Sequence, residues 1–286
     1  MKILVTGATG FIGTHLINYI GSKTKFEIIA TSRDKQKAAN FNWFSKIKYI
    51  PYDISHSKNI NLLEYFEKPD RVIHLAWNGL PNYNNPNHIE NNLIDNYKFI
   101  KNLLTNGLKE ITVIGTCFEY GLVEGCLSED LHTNPSNSYA IAKDSLRKFV
   151  QELKREFEFN YKWIRLFYMY GEGQSKGSLI SLLDQAIESG EIEFNMSGGE
   201  QQRDYLHINE VVSNIFDIAI QNEVDNQIIN CCSGKPVKIK DFVNDYLKEK
   251  NYSMKLNLGY FPYSEHEPMS FWGDNKKLNS ILRNKK

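Results

Sequence analysis

In 286 residues, 34 Lys+Arg balance 34 Asp+Glu and 41% of positions are hydrophobic. That length accommodates one large domain or two closely packed ones, and zero formal charge argues against nucleic acid or an anionic membrane as a partner. Mean hydropathy is -0.45, no apolar run approaches the roughly 18 residues of a membrane-spanning helix, and Thr6-Gly7 interrupts the N-terminus before a signal-peptide core can form. Cys117, Cys126, Cys231 and Cys232 make no metal-ligand spacing, and the adjacent pair is badly placed for a disulfide. A soluble, cytoplasmic, globular protein without metal, membrane or nucleic acid is expected.

Taken in chain order, short apolar runs alternate with helical patterns. Strands are predicted at 2–6, 26–31, 47–51, 71–76, 110–116 and 161–167, and helices at 11–20, 34–44, 59–66, 89–106 and 135–157. Such alternation predicts an α/β fold, a doubly wound parallel (Rossmann) sheet. Right-handed crossovers then bring the C-terminal ends of all strands to one edge. After about residue 171 the alternation weakens, leaving helical patterns at 179–188, 209–221 and 239–250. Residues 1–170 are expected to form a dinucleotide-binding domain. Residues 171–286 are expected to form mostly a smaller substrate-binding lobe, with some segments returning to the first domain.

The loop Gly7-Ala8-Thr9-Gly10-Phe11-Ile12-Gly13 joins the first strand to the first helix. Gly7 permits a tight turn, Gly10 lets backbone amides approach a pyrophosphate, and Gly13 allows close helix–strand packing. The helix N-terminus adds partial positive charge and free N–H groups, so the loop with Thr9, Phe11 and Ile12 is a candidate dinucleotide site. A glycine-rich turn alone would leave the same triplet. The second strand ends at Thr31-Ser32-Arg33. A carboxylate there would bind the adenosine ribose hydroxyls and repel a 2′-phosphate, whereas Ser32 and Arg33 suit the phosphate, favouring NADP(H) over NAD(H).

Tyr139 and Lys143 stand four residues apart at the start of a predicted helix, on one face. A phenol needs a neighbouring cation to act as an acid or base near neutrality, and Lys143 supplies one. Thr116 ends the fifth strand at the same sheet edge, where its hydroxyl would bond the substrate oxygen that Tyr139 protonates.

Further segments follow in order. Thr6 to Gly13 reads T-G-x-x-G-x-x-G, His74-Leu75-Ala76 reads H-L-A, and Thr116 with Tyr120-Gly121 reads S/T-x-x-x-Y-G. Arg165 to Gly173 reads R-x-x-x-x-Y-G-x-G, and Arg203 to His207 reads R-D-[FY]-x-H. On these motifs, over nearly its whole length, the chain resembles the extended short-chain dehydrogenase/reductase (NAD-dependent epimerase/dehydratase) family. The resemblance implies action on a nucleotide-activated sugar, with Thr116, Tyr139 and Lys143 catalytic. It puts Asp53 and Ile54 beside adenine, Leu75 and Ala76 beneath the cofactor and Asn92 on a nearby helix. Arg203 would hold the nucleotide diphosphate, which a guanidinium fork binds well. A homodimer through helices 89–106 and 138–157 is also implied.

His74 is read as structural, and Asp204 and His207 could simply hold the turn between the lobes. Cys117 is either a substrate-facing acid/base or a buried thiol. Trp77, Tyr83, Phe118, Tyr168, Phe271 and Trp272 are either a sugar-binding wall or core, with Cys117, Phe118 and Tyr168 the substrate-side candidates. Family dehydratases follow the catalytic threonine with Asp-Glu, an acid/base pair that Cys117-Phe118 cannot replace. Family epimerases usually hold NAD through an acid after the second strand, where this chain has Ser32-Arg33. What remains is similar to the 4-ketoreductases of nucleotide-linked deoxysugars, which the tail from Glu267-Pro268 to Asp274 also resembles. An arginine common shortly before that Glu-Pro is here Ser264. The expected reaction is NADPH-dependent reduction of the C4 carbonyl of a dTDP-, CDP- or GDP-linked 4-keto-6-deoxysugar. An NAD-dependent epimerase and a non-catalytic NADP-binding sensor are the alternatives.

Overall fold

Strand β1 (Lys2–Thr6) is buried on both faces, as a central parallel strand must be: Ile3 and Val5 join one apolar cluster and Leu4 the other. The structure, a computed structural model, describes residues 1–23, 25–55, 60–264 and 267–283. The same alternation runs through β2 (Glu27–Thr31), where Ile28 and Ala30 face one way and Ile29 the other. Helices α1 (Phe11–Gly21), α2 (Lys35–Ala39) and α3 (Leu62–Tyr65), with strands β3 (Lys48–Tyr49) and β4 (Arg71–His74), complete the first half. Then come α4 (Leu93–Thr105), β5 (Glu110–Thr116), β6 (Gly125–Leu127), α5 (Ser138–Glu152), β7 (Asn160–Leu166) and β8 (Tyr168–Tyr170).

The remaining chain forms α6 (Leu179–Glu188), β9 (Glu193–Asn195), β10 (Gln202–His207), α7 (Ile208–Ile220), β11 (Gln227–Cys231) and β12 (Pro236–Lys238). It ends with α8 (Ile239–Glu249), β13 (Lys255–Asn257), β14 (Phe271–Gly273) and α9 (Lys276–Arg283). The central sheet has seven strands in the order β11-β7-β5-β4-β1-β2-β3, all parallel. Thr6, Thr31, His74 and Thr116 therefore emerge at one edge, the edge at which an open α/β sheet binds ligands.

Several elements are shorter than their sequence patterns. Of the helix expected over 34–44 only Lys35–Ala39 forms, capped by the Asp34 carboxylate accepting Lys37 N–H at 2.9 Å. Phe41, Trp43 and Phe44 cannot share one helical face, and turns aim them inward instead: Trp43 is 2% exposed and stacks on Phe41 at 5.6 Å. The predicted 59–66 helix is reduced to α3, which Asn61 caps; Asn59 lies outside the described residues. The predicted 89–106 helix begins as a wider π-helical turn, His88–Asn92, before α4. The helix expected over 135–157 starts only at Ser138, because Asn137 caps it by accepting Ala140 N–H at 2.9 Å.

After β7 the chain alternates between two places. Ile180, Leu183, Phe194, Met196, Val243 and Leu247 form a separate small core under α6 and α8. In contrast, Val211, Val212, Ile215 and Phe216 of α7, and Leu278 and Ile281 of α9, pack into the apolar layer of α1. β11 pairs with β7 at the sheet edge, with Ile229 opposite Ile164.

Candidate active site

At the C-terminal edge of the sheet a cleft of about 690 Å³ opens. Its lining contains the residues expected to hold a cofactor: Gly7, Thr9, Gly10, Phe11, Ile12, Gly13, Ser32, Arg33, Asp53, Ile54, Leu75, Ala76 and Asn92. Gly7 has φ +67°, and a Cβ on it would fall 2.9 Å from Ala76 N; a Cβ on Gly13 would fall 2.2 Å from Gly7 O. Only bare backbone allows this approach of α1 to β1 and β4. Helix α1 opens on Gly10 with no side-chain cap and no acid in its first turn, leaving its N-terminal dipole for an anion. The donor set thus suits a dinucleotide diphosphate. Thr6 steadies the floor: its hydroxyl bonds His74 Nδ1 at 2.9 Å and accepts the Leu75 and Ala76 N–H groups at 3.1 and 3.2 Å.

Where β2 ends, Ser32 Oγ and Tyr49 Oη lie 2.9 Å apart, and Arg33 Nη1–H donates to Asn78 Oδ1 at 3.2 Å. Lys37 and Asp34 line the same end. Asp53 Oδ1 accepts Ser55 N–H and Oγ–H at 3.0 and 2.6 Å, which fixes the loop that Ile54 sits on. Asn92 donates to Asn78 O at 2.8 Å, bracing the opposite wall.

Thr116, Tyr139 and Lys143 converge on the cleft from β5 and α5. The Thr116 side chain is close enough to the Tyr139 phenol to pull its pKa down, and Thr116 Oγ1 accepts Phe118 N–H at 3.3 Å. The Tyr139 backbone N–H donates to Tyr83 O at 2.9 Å. Lys143 is 2% exposed; its Nζ donates to Ile114 O at 2.8 Å and lies 4.1 Å from the centre of the Trp77 ring. Burial lowers its pKa to about 7, against the opposing pull of Glu119. Burial pushes the Tyr139 phenol well up, helped by Tyr83, Glu119 and Cys117, while the Thr116 side chain pulls it down. The expected lowering of the phenol by Lys143 is therefore not the dominant effect: the ammonium is engaged with Ile114 O, and burial outweighs it.

His74 is neutral. Burial, then the Lys143 charge, hold it down to about 3, and Asn96 Oδ1 lies 2.8 Å from its Nε2. This matches its reading as a structural histidine. Cys117, 5% exposed, is likewise held protonated, since burial raises its thiol far above the ordinary range. Phe118 packs edge-on against Tyr83 at 5.2 Å and against Tyr168 at 6.1 Å, forming an aromatic wall on the far side of the cleft. The Tyr168 hydroxyl is buried, with its pKa raised well above normal by that burial.

Arg203 does not line this cleft. It is 1% exposed, its Nη2 pairs with Glu267 Oε2 at 2.8 Å, and its guanidinium lies 4.8 Å from the Phe271 ring centre. Asp204 accepts N–H bonds from Ser233 at 2.7 Å and Gly234 at 2.9 Å, so it does hold the turn after β11.

Sequence reasoning missed Lys37, Asn78 and Glu119. Lys37 hides in a short helix whose extent was overestimated. Glu119 had a legible signal: Thr116-x-x-Glu119 is a capping-box pattern, and both of its bonds form.

Residues 3–232 match the family model described as the NAD dependent epimerase/dehydratase family. The chain is 29% identical over 275 residues to a protein of Aggregatibacter actinomycetemcomitans named dTDP-6-deoxy-L-talose 4-dehydrogenase (NAD(+)), spanning 96% of this chain and 99% of that one. It is 27% identical over 256 residues to the dTDP-4-dehydro-6-deoxyglucose reductase of Escherichia coli, spanning 84% and 79% respectively. The fold matches a UDP-glucuronic acid 4-epimerase from Bacillus cereus, solved with UDP-glucuronic acid and NAD, at a TM-score of 0.84 and 24% identity over 100% of this chain and 94% of that one. Fold, motifs and matched length agree, and the chain belongs to the NAD dependent epimerase/dehydratase family of enzymes.

Proposed function

We propose that the protein reduces the C4 carbonyl of a nucleotide-linked 4-keto-6-deoxysugar, with Thr116, Tyr139 and Lys143 as its catalytic residues. The observation that carries this reading is the convergence of Thr116, Tyr139 and Lys143 on one cleft, with a buried, protonated Cys117 next to the threonine. Proton donation to a carbonyl oxygen is supported; the acid/base pair that an elimination needs beside the threonine is missing from Cys117-Phe118. The apolar face made by Phe118 and Tyr83 suits a C6 methyl better than a hydroxyl.

A bound reduced nicotinamide supplies the hydride. Tyr139 holds the proton at its Oη and gives it to the developing alkoxide, while the Thr116 hydroxyl steadies the same oxygen. Lys143, held near Ile114 O, orients the cofactor ribose and stabilises the phenolate left behind. The loop from Gly7 to Gly13 carries the diphosphate. Ser32, Arg33 and Lys37 offer a hydroxyl and two cations to a 2′-phosphate, which supports NADP(H). A second reading, NAD(H), is favoured by the name of the Aggregatibacter relative. The names of relatives carry dTDP- and GDP-linked sugars, which supports those two carriers over CDP. Helices α4 and α5 leave Ile94, Ile141 and Phe149 exposed, in keeping with a homodimer through these helices.

The test is incubation with NADPH or NADH and a set of dTDP-, CDP- and GDP-linked 4-keto-6-deoxysugars, with the product followed by NMR. Reductant consumption matched by a new C4 hydroxyl is expected, and Tyr139→Phe should abolish it while cofactor binding persists. Product formation without added reductant would replace the reading with epimerisation. Cofactor binding without turnover of any keto-sugar would replace it with a sensor.

A further inference from the structure

Glu119 has no exposed side-chain surface and sits where three elements meet. One carboxylate oxygen, Oε1, accepts the Thr116 backbone N–H at 3.0 Å and the Trp163 Nε1–H at 2.9 Å. The other, Oε2, accepts Arg165 Nε–H at 2.8 Å and lies 3.8 Å from Arg147 Nε. Thr116 belongs to β5, Trp163 and Arg165 to β7, and Arg147 to α5, the helix that carries Tyr139 and Lys143. One buried carboxylate thus joins the strand that presents the hydroxyl to the helix that presents the phenol.

The backbone is shaped to admit it. A Cβ on Gly115 would lie 2.4 Å from Glu119 Oε1 and 2.2 Å from Trp163 Nε1. Every residue larger than glycine would expel the carboxylate–indole pair from the end of β5. Burying a charge is costly unless it is paired and fully hydrogen-bonded, and here four protein groups surround it. If packing were the only purpose, an apolar side chain would serve at lower cost.

We propose that Glu119 is a positioning residue, fixing Thr116 at the end of β5 relative to the helix that carries Tyr139 and Lys143 and placing a carboxylate behind both. This rests on the reading of Thr116, Tyr139 and Lys143 as the catalytic set. Its charge reaches both groups. Burial lowers Lys143, and Glu119 opposes that; burial and Tyr83 raise Tyr139, and Glu119 adds to it. Removing the charge moves both titrations downward. The surrounding groups on the Glu119 side are Arg165 and Trp163 of β7, and Arg147 of α5 with its partner Asp144 at 2.6 Å. Lys143 also faces neutral His74 of β4 and the Trp77 ring, and Tyr139 faces Tyr83 and Cys117.

The test compares wild type with Glu119→Gln and Glu119→Asp in the full-length protein. It reads kcat and KM with NADPH and the keto-sugar, and the Lys143 titration by NMR of its 13C-labelled Cε in the cofactor-free protein. Glu119→Gln should lower kcat by roughly tenfold or more while the cofactor KM changes by less than about threefold, and should move the Lys143 midpoint down by about half a pH unit or more. Glu119→Asp keeps the charge but retracts it, so kcat should fall while the Lys143 midpoint stays within a few tenths of a unit of wild type. A folded Glu119→Gln with wild-type kcat, or with an unmoved Lys143 midpoint, overturns the proposal. If that variant does not fold, a wild-type kcat in Glu119→Asp overturns it. Should Tyr139→Phe retain turnover, the catalytic assignment fails on its own, and the Lys143 titration still tests the reach of Glu119.

Discussion

Lys143→Met should make the protein more stable in acid than in base relative to wild type. The side chain is 2% exposed, and its pKa falls from 10.5 to about 7, chiefly through burial. A displacement of that size costs about 5 kcal/mol whenever the ammonium is fully charged in the folded protein, at 1.36 kcal/mol per pH unit. The folded state binds this proton less tightly than the unfolded chain does. The cost is therefore complete below pH 7, shrinks by about 1.4 kcal/mol per unit between pH 7 and about 10.5, and vanishes above. Methionine keeps most of the stem and removes the proton. Groups out of reach of the Lys143 charge titrate alike and cancel in the difference, and His74, which that charge reaches, is held neutral chiefly by burial at pH 7 and pH 9 alike. Urea unfolding of wild type and Lys143→Met at pH 7 and pH 9 should show the variant's relative advantage falling by about 2 kcal/mol. A difference that does not change with pH would mean that Lys143 is not a destabilised buried cation, and would remove the physical basis for its role beside Tyr139.

Arg33→Ala should weaken NADPH by about tenfold or more, and NADH by less than about threefold, in fluorescence titrations, because the lost fork can meet only the 2′-phosphate; equal losses would assign the enzyme to NAD(H). Gly13→Ala should abolish dinucleotide binding and lower the thermal midpoint, since the new Cβ would fall 2.2 Å from Gly7 O; unchanged binding by calorimetry would contradict the cradle. Among the cysteines Cys126 is exposed and Cys117, Cys231 and Cys232 are buried. Burial raises the thiols of those three, so iodoacetamide at pH 8 should label Cys126 in the native protein and the others only after unfolding. Rapid native labelling of Cys117, read by mass spectrometry, would return it to the list of acid/base candidates.

The parallel sheet was legible because the strand segments carry short aliphatic runs, Ile3-Leu4-Val5, Ile28-Ile29-Ala30, Val72-Ile73 and Val113-Ile114, separated by helical patterns. The loop from Gly7 to Gly13, Thr116, Tyr139 and Lys143 were legible because each lies at a strand end or helix start, where spacing fixes direction. Less was visible where tertiary packing overrules local pattern. Phe41, Trp43 and Phe44 look helical in a window of polar neighbours, yet they are recruited inward by turns. Gln227–Cys231 has only Ile228-Ile229 as an aliphatic pair between Gln227 and Asn230, so it does not announce an edge strand. Arg203 could be recognised as a motif residue, but its pairing with Glu267 across 64 positions could not be read from spacing. Nor could the state of Lys143, which depends on how completely Ile114, Trp77 and their neighbours enclose it.

After β7 the polypeptide leaves the main sheet, comes back as α7 and β11, departs again for β12 and α8, and finishes as α9 against the first apolar layer. A chain stitched through both parts in this way offers no single pair of cut points between which one part could be exchanged for another. Exchange of whole modules would sever the stitching that holds α7 and β11 in the core, so a change in what the protein accepts has to come by substitution in place.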